Sequence, residues 1–188
     1  MSAWPDRYAH FSIPDSRIGK RSLRAIHIGD AEVLRLWRNA QLDVLRQPEP
    51  LSEAQQTHYF ENVVRPQLEM EQPAQVLVAY LDGEELIGYG GIVHISWPDL
   101  RGEVSFLMSA QRAGSDSYED DFRIFLELLL ETAREGLGLH RVFTETYEIR
   151  DRHLAVLESV GFTLEGRMRD HVRIQGQYVD ALIHGFLL

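Results

Sequence analysis

The sequence predicts a single mixed α/β (α+β) domain, in which a mostly antiparallel, twisted sheet of about seven strands is flanked by about four helices. The length of 188 residues suits one domain with a sizeable core. Apolar residues recur either at every second position or at helical spacing, and turn residues separate these segments. No linker rich in Pro, Gly or Ser divides the chain. We therefore expect an N-terminal extension over residues 1–20 and one domain over residues 21–188.

The first third of the chain is predicted to form one strand followed by two helices. Residues 21–28 carry apolar side chains in a strand-like pattern, and Asp30 follows as a candidate helix N-cap. After two prolines, Ser52 and Gln55 form a Ser-x-x-Gln capping box, which indicates the start of a second helix. That helix is expected to run toward Val64.

Three strands and a long helix follow. A hairpin turn at Asp82-Gly83 separates two apolar runs, residues 75–81 and 85–95. A further alternating run covers residues 102–108, so the three runs together predict an antiparallel meander. Residues 118–135 then carry apolar side chains at helical spacing, which is the strongest helical pattern in the chain.

The last part of the chain is predicted to contain three strands and one helix. The helix covers residues 151–160, and Gly161 is its expected C-cap in the left-handed conformation. The strands cover residues 141–146, 162–174 and 178–187, and a Gln175-Gly176 turn joins the last two.

The composition and the net charge of the chain exclude several kinds of partner and of active site. The formal net charge is −10, from 29 acidic and 19 basic residues, and such a field repels nucleic acid phosphates. The chain has no cysteine, which excludes disulfides, thiolate metal sites and cysteine nucleophiles. No apolar run reaches the roughly 20 residues that cross a membrane. We therefore expect a cytoplasmic protein that binds a small molecule, with no nucleic acid, membrane or metal as partner.

Five short motifs occur along these elements. They are Leu36-Trp37-Arg38-Asn39, Leu86-Ile87-Gly88-Tyr89-Gly90-Gly91, Gly138-Leu139-His140-Arg141-Val142, Leu157-Glu158-Ser159-Val160-Gly161-Phe162 and Glu165-Gly166-Arg167. Together with the order of strands and helices, they resemble the GNAT superfamily of acyltransferases over residues 21–188. Within it, they are similar to the branch of ribosomal-protein-alanine and amino-sugar N-acetyltransferases. The resemblance implies an N-acetyltransferase that uses acetyl-CoA as co-substrate.

The resemblance also implies an acceptor and a catalytic base. The expected acceptor is the primary amine of a small molecule, such as a nucleotide-linked amino sugar, and a homodimer is left open. A ribosomal protein is disfavoured because the acidic chain would be repelled by ribosomal RNA. The amine must lose a proton around its attack on the thioester, so a carboxylate base is expected. Glu103 stands where the family often has this base, but an exposed strand residue paired with Arg101 or another basic residue is an equal alternative.

The donor is expected in a gap of the sheet. In GNAT enzymes two central strands diverge and leave backbone groups free to bind the pantetheine arm. In this chain those strands are residues 102–108 and 141–146. Tyr147, directly after the second strand, is a candidate catalytic residue near the thioester sulfur. The resemblance assigns donor binding to Phe106, Leu107, Met108 and Thr144.

The acceptor is expected on the other side of that gap. The end of the first helix and the strand next to the base lie near the acceptor in GNAT enzymes. A neutral imidazole is suited to relay protons near physiological pH. Trp37 is expected in the core. The resemblance assigns acceptor binding to Arg38, Asn39, Tyr89 and His94, and a purely structural role is the alternative for both Tyr89 and His94.

The phosphate-binding loop departs from the GNAT pattern. In that pattern, backbone N–H groups at a helix N-terminus bind the donor pyrophosphate. Here Asp116 replaces the second small residue of the loop. Arg150 replaces a donor-binding Asn and is a substitute phosphate ligand, and Leu157 replaces the Tyr that commonly acts as general acid. The residues that match the loop are Arg112, Ala113 and Gly114.

The first turn of the following helix is acidic. Glu119, Asp120 and Asp121 repel phosphate but stabilise a helix N-terminus, and Ser117 with Asp120 is the expected internal cap. Two alternatives to an acetyl-CoA enzyme therefore stay open. One is a GNAT-fold protein that has lost catalysis and serves as a binding module. The other takes its acyl group from a carrier protein's phosphopantetheine, which has no adenosine diphosphate portion.

Overall fold

An eight-stranded sheet forms the centre of the computed structural model, which describes residues 3–188. The strands are β1 Arg17–Ile18, β2 Arg21–Ala25, β3 Val76–Asp82, β4 Glu85–Ser96, β5 Arg101–Met108, β6 Arg141–Tyr147, β7 Thr163–Ile174 and β8 Gln177–Leu187. Their order is β1-β2-β3-β4-β5-β6-β8-β7, and neighbours are antiparallel except β5 and β6. The predicted mixed, mostly antiparallel sheet is confirmed, with one short edge strand more than expected.

Helices cover both faces of the sheet. Those before the meander are α1 Ala31–Asn39, α2 Glu53–Tyr59 and α3 Arg65–Glu69, and a π-helical turn at Phe60–Val64 joins the last two. Those after it are the short α4 Ala110–Ala113, the long α5 Tyr118–Glu131 and α6 Asp151–Val160. Single 3-10 turns lie at Ile28–Asp30 and Leu42–Val44, and α5 continues through a π-helical turn at Thr132–Gly136. Within residues 3–188, none of the helices combines the length and apolar character needed to cross a bilayer.

Two apolar clusters hold the helices to the sheet. Alternate residues of a strand point to opposite faces. Phe106 of β5 therefore packs on Phe122 and Phe125 of α5, with ring centroids 4.7 and 4.3 Å away. Leu107 instead joins the cluster beneath α1 and α2. Glu103 has the same parity as Leu107, so the alternation directs it to the α1–α2 face.

Several local signals in the sequence are confirmed. Ser52 and Gln55 form the predicted capping box at the start of α2. Gly161 ends α6 with φ of 107°, as expected for a left-handed C-cap. The predicted turn between β7 and β8 is formed by Gln175 and Gly176, which have φ of 49° and 86°.

Two predicted caps are wrong. Asp30 does not cap α1 with its side chain; its carboxylate accepts a hydrogen bond from the N–H of His27 at 2.8 Å. The helix is therefore preceded by a 3-10 turn that continues directly into it. Ser117 does not form the predicted cap with Asp120, because its hydroxyl donates to the carboxylate of Asp121 at 3.0 Å.

The segment before β1 packs on the sheet. The hydroxyl of buried Tyr8 donates to the carbonyl of Leu77 at 3.0 Å and accepts from the N–H of the same residue at 2.7 Å. The indole N–H of Trp4 donates to the carbonyl of Ile26 at 3.2 Å. The described part of the predicted N-terminal extension therefore contributes to the core. Met1 and Ser2 lie outside the described residues.

Candidate functional site

Strands β5 and β6 separate partway along their length. Their pairing covers residues 101–103 and 141–143 and then stops, although β5 continues to Met108 and β6 to Tyr147. Beyond that point the two edges enclose a cavity of about 320 Å³, called here the gap cavity. The expected divergence of these strands is therefore present.

Alternate residues of β5 direct their backbone polar groups into the gap. The N–H of Ser109 donates to the carbonyl of Ile87 in β4, so the odd-numbered residues at this end of β5 face β4. The even-numbered residues face the opposite edge. Val104 and Phe106, which line the gap cavity, therefore present N–H and C=O groups to it.

The predicted donor-binding residues of β5 and β6 differ in their placement. Phe106 faces the gap, whereas the backbone of Leu107 pairs with β4. The carbonyl of Met108 already accepts a hydrogen bond from the side-chain amide of Gln41 at 2.8 Å. The hydroxyl of Thr144 lies in the cavity wall, buried and without a hydrogen-bond partner within residues 3–188. Buried polar groups without partners are rare, so this hydroxyl is free to bind a ligand.

Glu103 is buried in the wall of the gap cavity, at the point where the strands separate. One carboxylate oxygen accepts from the Arg46 guanidinium, and the other lies 2.8 Å from Nδ1 of His94. The alternative of an exposed strand residue paired with Arg101 or another basic residue is therefore wrong about exposure, because Glu103 is buried, but a basic partner is present, and it is Arg46 rather than Arg101. The reason is that the loop after α1 covers this part of β5 and supplies Arg46 as the charge partner.

Arg46 links two carboxylates across the gap. Its guanidinium lies 3.4 Å from the carboxylate of Glu145 on β6, in addition to its bond with Glu103. Burial lowers the pKa of Arg46, but the attraction of Glu103 and Glu145 outweighs this and raises the pKa overall. Arg46 therefore stays charged and fixes the position of the Glu103 carboxylate.

Tyr147 lies beyond Arg46. It lines a separate cavity between the α1–α2 loop and the tip of the β7–β8 hairpin, which also contains Arg46. Burial raises the pKa of Tyr147, although the charge of Arg46 opposes the shift. The phenol is therefore protonated at neutral pH, but the structure does not bring it into the wall that contains Glu103. A catalytic role for Tyr147 stays a prediction.

Another cavity opens next to the gap cavity, beneath α1 and α2. Its volume is about 310 Å³, and it is called here the α2 cavity. Tyr59 and Phe60, where α2 meets its π-helical turn, form an aromatic part of its wall. Such turns are frequent at functional sites. The residues that line both cavities are Arg38, Gln75, Val93 and Ser105.

The predicted acceptor residues meet at these cavities, with one exception. Arg38 lines both cavities and donates from Nη1 to the hydroxyl of Tyr89 at 2.7 Å. Burial raises the pKa of Tyr89, so the phenol is neutral. His94 contacts Glu103 as described above. Asn39 instead holds the α1–α2 loop, because its side chain bonds the N–H and the carbonyl of Leu51 at 2.7 and 2.8 Å.

The N-terminus of α5 contains a buried ionic network. Asp121 accepts hydrogen bonds from Nε of Arg21 at 2.8 Å and from Nη1 of Arg112 at 3.3 Å, and its side chain is 1% exposed. Arg112 also donates to Asp82 at 2.9 Å. The guanidinium predicted to bind phosphate is thus already neutralised by two carboxylates.

The predicted phosphate loop has a different structure. Residues 110–113 form α4, which Ser109 caps through a bond to the N–H of Arg112. Gly114 follows with ordinary helical backbone, φ of −92°, and Ala113 lines a cavity between α5 and α6. The chain therefore places a short helix where the resemblance predicts a glycine-rich cradle.

The cavity between α5 and α6 has a volume of about 330 Å³ and is called here the α6 cavity. Arg150 lines both this cavity and the gap cavity. Nη2 of Arg150 donates to the hydroxyl of Tyr118 at 3.2 Å, and that hydroxyl lies 2.8 Å from Nδ1 of His153. Burial lowers the pKa of His153 well below its usual value, and the charge of Arg150 adds to the shift. Leu157 is fully buried in the core and reaches none of these cavities.

One carboxylate in the first turn of α5 is held by an arginine that lines the α6 cavity. Glu119 accepts from Nη2 of Arg152 at 2.6 Å, and this bond lowers the pKa of Glu119 to about 2. The first turn of α5 therefore stays negatively charged at neutral pH. Within residues 3–188, no group of three or more His, Asp or Glu side chains is arranged to hold a metal ion.

Comparison with known proteins identifies the family. The family model described as Acetyltransferase (GNAT) domain matches residues 23–183, which is most of the chain. The chain belongs to the GNAT acetyltransferase family. It is accordingly a GNAT-type acetyltransferase. A comparison with curated protein sequences finds no significant match.

Solved structures share the fold of this GNAT domain. The spermidine N-acetyltransferase of Vibrio cholerae in complex with CoA and spermine has a TM-score of 0.76 at 17% identity, covering 89% of this chain and 95% of that one. A dodecameric structure of spermidine N-acetyltransferase from Vibrio cholerae gives 0.75 at 19% identity, covering 89% and 94%. At these identities the likeness shows the fold alone.

Three residues of the cleft in this GNAT domain were not predicted from the sequence, and they are Arg46, Gln41 and Glu145. Arg46 holds Glu103, and Gln41 occupies the carbonyl of Met108. Both lie in the irregular loop between α1 and α2, where no periodicity predicts a direction for a side chain. Glu145 was also missed, but it had a signal, because it is a charged residue inside a short central strand.

Proposed function

We propose that this protein transfers an acetyl group from acetyl-CoA to the primary amine of a small molecule, with Glu103 as the base. The observation that carries the proposal is the position of Glu103. A buried carboxylate stands where β5 leaves β6, beside the unpaired backbone edge of Val104 and Phe106. A thioester bound along that edge would bring its carbonyl carbon near the base.

The donor arm fits the free groups of the gap. The amides of pantetheine need hydrogen-bond partners, and the backbone of Val104 and Phe106 and the hydroxyl of Thr144 supply them. The Vibrio cholerae neighbour described with CoA has the same fold. We place the phosphates toward Arg150, whose guanidinium donates to the neutral hydroxyl of Tyr118 and, within residues 3–188, has no carboxylate at ion-pair distance.

The chemistry proceeds by direct attack. The amine nitrogen forms a bond to the carbonyl carbon, Glu103 accepts the proton that the nitrogen loses, and the carbon–sulfur bond breaks to release the thiolate of CoA. The thiolate then takes a proton. The absence of cysteine agrees with transfer that needs no acyl-enzyme intermediate on a thiol. The ion pair with Arg46 and the contact with His94 hold the base in position before the substrate arrives.

For the acceptor, we propose an amino sugar linked to a nucleotide, as the resemblance to the ribosomal-protein-alanine and amino-sugar branch implies. The solved neighbours are named for spermidine, so a polyamine is the competing acceptor. We also propose a cytoplasmic enzyme that forms homodimers. The long edge strand β7, with exposed Leu164, is the surface that favours association, and light scattering would measure the mass in solution.

Thiol release from acetyl-CoA tests the proposal directly. The chain has no cysteine, so every free thiol in the assay comes from CoA. We expect turnover with at least one class in a panel of amino sugars, amino acids and polyamines. Glu103→Gln should then lower kcat by about 100-fold to 10,000-fold, the usual size of a general-base contribution, while the Kd for acetyl-CoA changes little.

Glu148→Gln is the matched control. It removes the same charge from a carboxylate that is also held by an arginine, Arg167, but outside the gap cavity. Its kcat should stay within about twofold of the unchanged protein, as is usual for surface substitutions. Full activity of Glu103→Gln, with Glu148→Gln behaving alike, would remove Glu103 as the base.

One observation favours a second candidate. The first turn of α5 is filled by its own ionic network around Asp121, and Arg112 is neutralised within it. A donor without an adenosine diphosphate portion, such as a carrier protein's phosphopantetheine, needs no phosphate site there. Calorimetric titration separates the candidates: binding of acetyl-CoA supports the first. Absence of binding, with acetyl-phosphopantetheine still bound, supports the second, and failure of both supports a binding module without catalysis.

A further inference from the structure

Arg38 is a cation in the cleft that is bonded to neutral groups. Its Nε donates to Oε1 of Gln47 at 2.8 Å, and its Nη1 donates to the hydroxyl of Tyr89 at 2.7 Å. Within residues 3–188, no carboxylate lies within ion-pair distance of it. A guanidinium has five N–H donors, so the remaining ones are free to bind another group.

Four other partly buried arginines of the domain are neutralised. Arg21 and Arg112 share Asp121, Arg24 pairs with Asp30, and Arg46 pairs with Glu103. Removing a charge from water without a counter-ion is costly. The positive charge of Arg38 therefore favours binding of an anionic ligand group at this part of the cavity wall.

The α2 cavity has walls that do not suit a polycation. Within the described part of the chain, its lining contains Arg38 as a charged residue and no Asp or Glu. The rest of the wall consists of apolar and aromatic side chains and neutral amides, including Leu34, Phe60, Tyr59, Gln55 and Gln75. A second ammonium group placed there would meet Arg38 rather than a carboxylate.

The two charges lie in the same cleft with opposite signs. Glu103 lines the gap cavity, and Arg38 lines both the gap cavity and the α2 cavity. On the proposed function, the reacting amine lies at Glu103. The body of the acceptor then extends toward the α2 cavity, past Arg38.

We propose that Arg38 binds an anionic group, a carboxylate or a phosphate, carried by the same small molecule as the acetylated amine. The acceptor class is therefore an amine with its own negative charge, such as an amino acid or a phosphorylated amino sugar, and not a polyamine. This inference rests on the proposed function for the position of the amine. The charge-assisted bonds from Arg38 supply affinity, and the cavity without carboxylates rejects a second cation.

Matched pairs of amines test the inference by kinetics. The pairs are phenylalanine with phenethylamine and glucosamine 6-phosphate with glucosamine, and spermidine is added as the polycation. In at least one pair, we expect kcat/KM to be at least about tenfold higher for the anionic member than for the neutral one. The pair that shows this difference also shows whether the site prefers a carboxylate or a phosphate. Arg38→Met should lower kcat/KM for that member by about 10-fold to 100-fold, the size of a hydrogen bond to a charged group, and leave its neutral partner within about threefold.

Arg134→Met, on the turn after α5, is the control variant. Arg134 is exposed and lines neither cavity, so the kinetics of this variant should match those of the unchanged protein. Thermal melting and the Kd for acetyl-CoA show whether Arg38→Met is folded. An equal loss for the anionic and neutral members would mean that Arg38 has a structural role, and a preference for spermidine would also overturn the inference.

Equilibrium binding keeps this test independent of turnover. Calorimetric titration of the acetyl-CoA-loaded protein with each pair should show tighter binding of the anionic member, and Arg38→Met should abolish the difference. If binding is selective but no thiol is released, the inference stands and the proposed chemistry fails. If thiol is released from neutral and anionic amines alike, the chemistry stands and the anion site fails.

Discussion

The two sides of the gap between β5 and β6 differ in whether their arginines have carboxylate partners. On the side of α1 and α2, Arg38 is bonded to neutral groups beside a cavity, and Glu103 faces the gap. On the side of α5, Arg21 and Arg112 are neutralised by the buried carboxylate of Asp121. The first side therefore keeps one guanidinium group, that of Arg38, available for a ligand, whereas the second pairs both of these guanidinium groups with a buried carboxylate.

This difference shows how one fold can keep its active cleft while its donor site changes. GNAT enzymes use the N-terminus of the helix after the meander to bind pyrophosphate through backbone N–H groups. Here that helix begins with acidic residues, and Asp121 lies where its carboxylate interacts favourably with the same N–H groups. Arg150 lines both the gap cavity and the α6 cavity, so it is the candidate to bind the donor phosphates in place of that helix N-terminus.

The largest effect should come from breaking the ionic network on the α5 side. Asp121→Asn removes the charge that Arg21 and Arg112 share, and it leaves two guanidinium groups in a partly buried position. We expect the free energy of unfolding to fall by about 3 kcal/mol, as is typical when one member of a buried ion pair is lost. Urea unfolding at pH 7 measures it.

Asp120→Asn is the control for that measurement. It changes the neighbouring carboxylate, which is exposed and pairs with Arg123 on the helix surface at 3.3 Å. Its effect should stay within about 0.5 kcal/mol. Equal effects of the two variants would show that Asp121 is not a stabilising centre, and the contrast between the two sides of the gap would then lose its basis.

A smaller effect should appear as a pH dependence of stability on the α6 side. The buried ring of His153 has a pKa well below its usual value, so the unfolded chain takes up a proton below pH about 6.5 while the folded chain does not. The free energy of unfolding therefore falls as the pH drops below that value, with a slope of at most about 1.4 kcal/mol per pH unit from this group.

His153→Gln isolates that group. The variant should reduce the loss of stability between pH 7.5 and pH 5.5, measured by urea unfolding, by about 1 kcal/mol. His10→Gln, at an exposed position, should leave the loss unchanged. The same pH dependence in His153→Gln and in the unchanged protein would place the titration elsewhere.

The smallest effect concerns binding of the donor. The exposed carboxylate of Asp120 lies in the first turn of α5 and repels phosphate groups near that helix end. Asp120→Asn should strengthen CoA binding by about twofold to fivefold, which corresponds to a charge interaction of about 0.4 to 1 kcal/mol. Glu127→Gln, farther along the same helix, is the matched control, and calorimetry at low and high salt measures both. An effect that persists at high salt would contradict a charge mechanism.

Much of the fold could be predicted because the signals are local. The Ser52 capping box, the Gly161 C-cap and the Gln175-Gly176 turn depend on residues a few positions apart, and each is present. The caps by Asp30 and Ser117 were wrong because each side chain had a competing partner, and the structure settles on that partner. Local patterns show that a side chain is able to cap a helix, but they do not show whether it prefers another hydrogen-bond partner.

The site was predictable where it lies on regular strands. The resemblance to the GNAT superfamily gave Glu103, Tyr89 and Thr144 as candidates, and all three line the gap cavity or the α2 cavity. Arg46 and Gln41 lie on an irregular loop and were missed. Arg112 was assigned to the donor from its motif, whereas its actual partners, Asp82 and Asp121, are distant in sequence.

The sequence by itself determined the order of strands and helices, the mixed sheet and the membership of the GNAT family, because periodicity and short motifs are properties of neighbouring residues. Only the tertiary structure decided which charges are neutralised and which remain available. Ion pairs such as Arg46 with Glu103 and Arg21 with Asp121 join residues far apart in the chain. Their formation depends on the packing of loops and helices against the sheet, and that packing left Arg38 facing a cavity without a counter-ion.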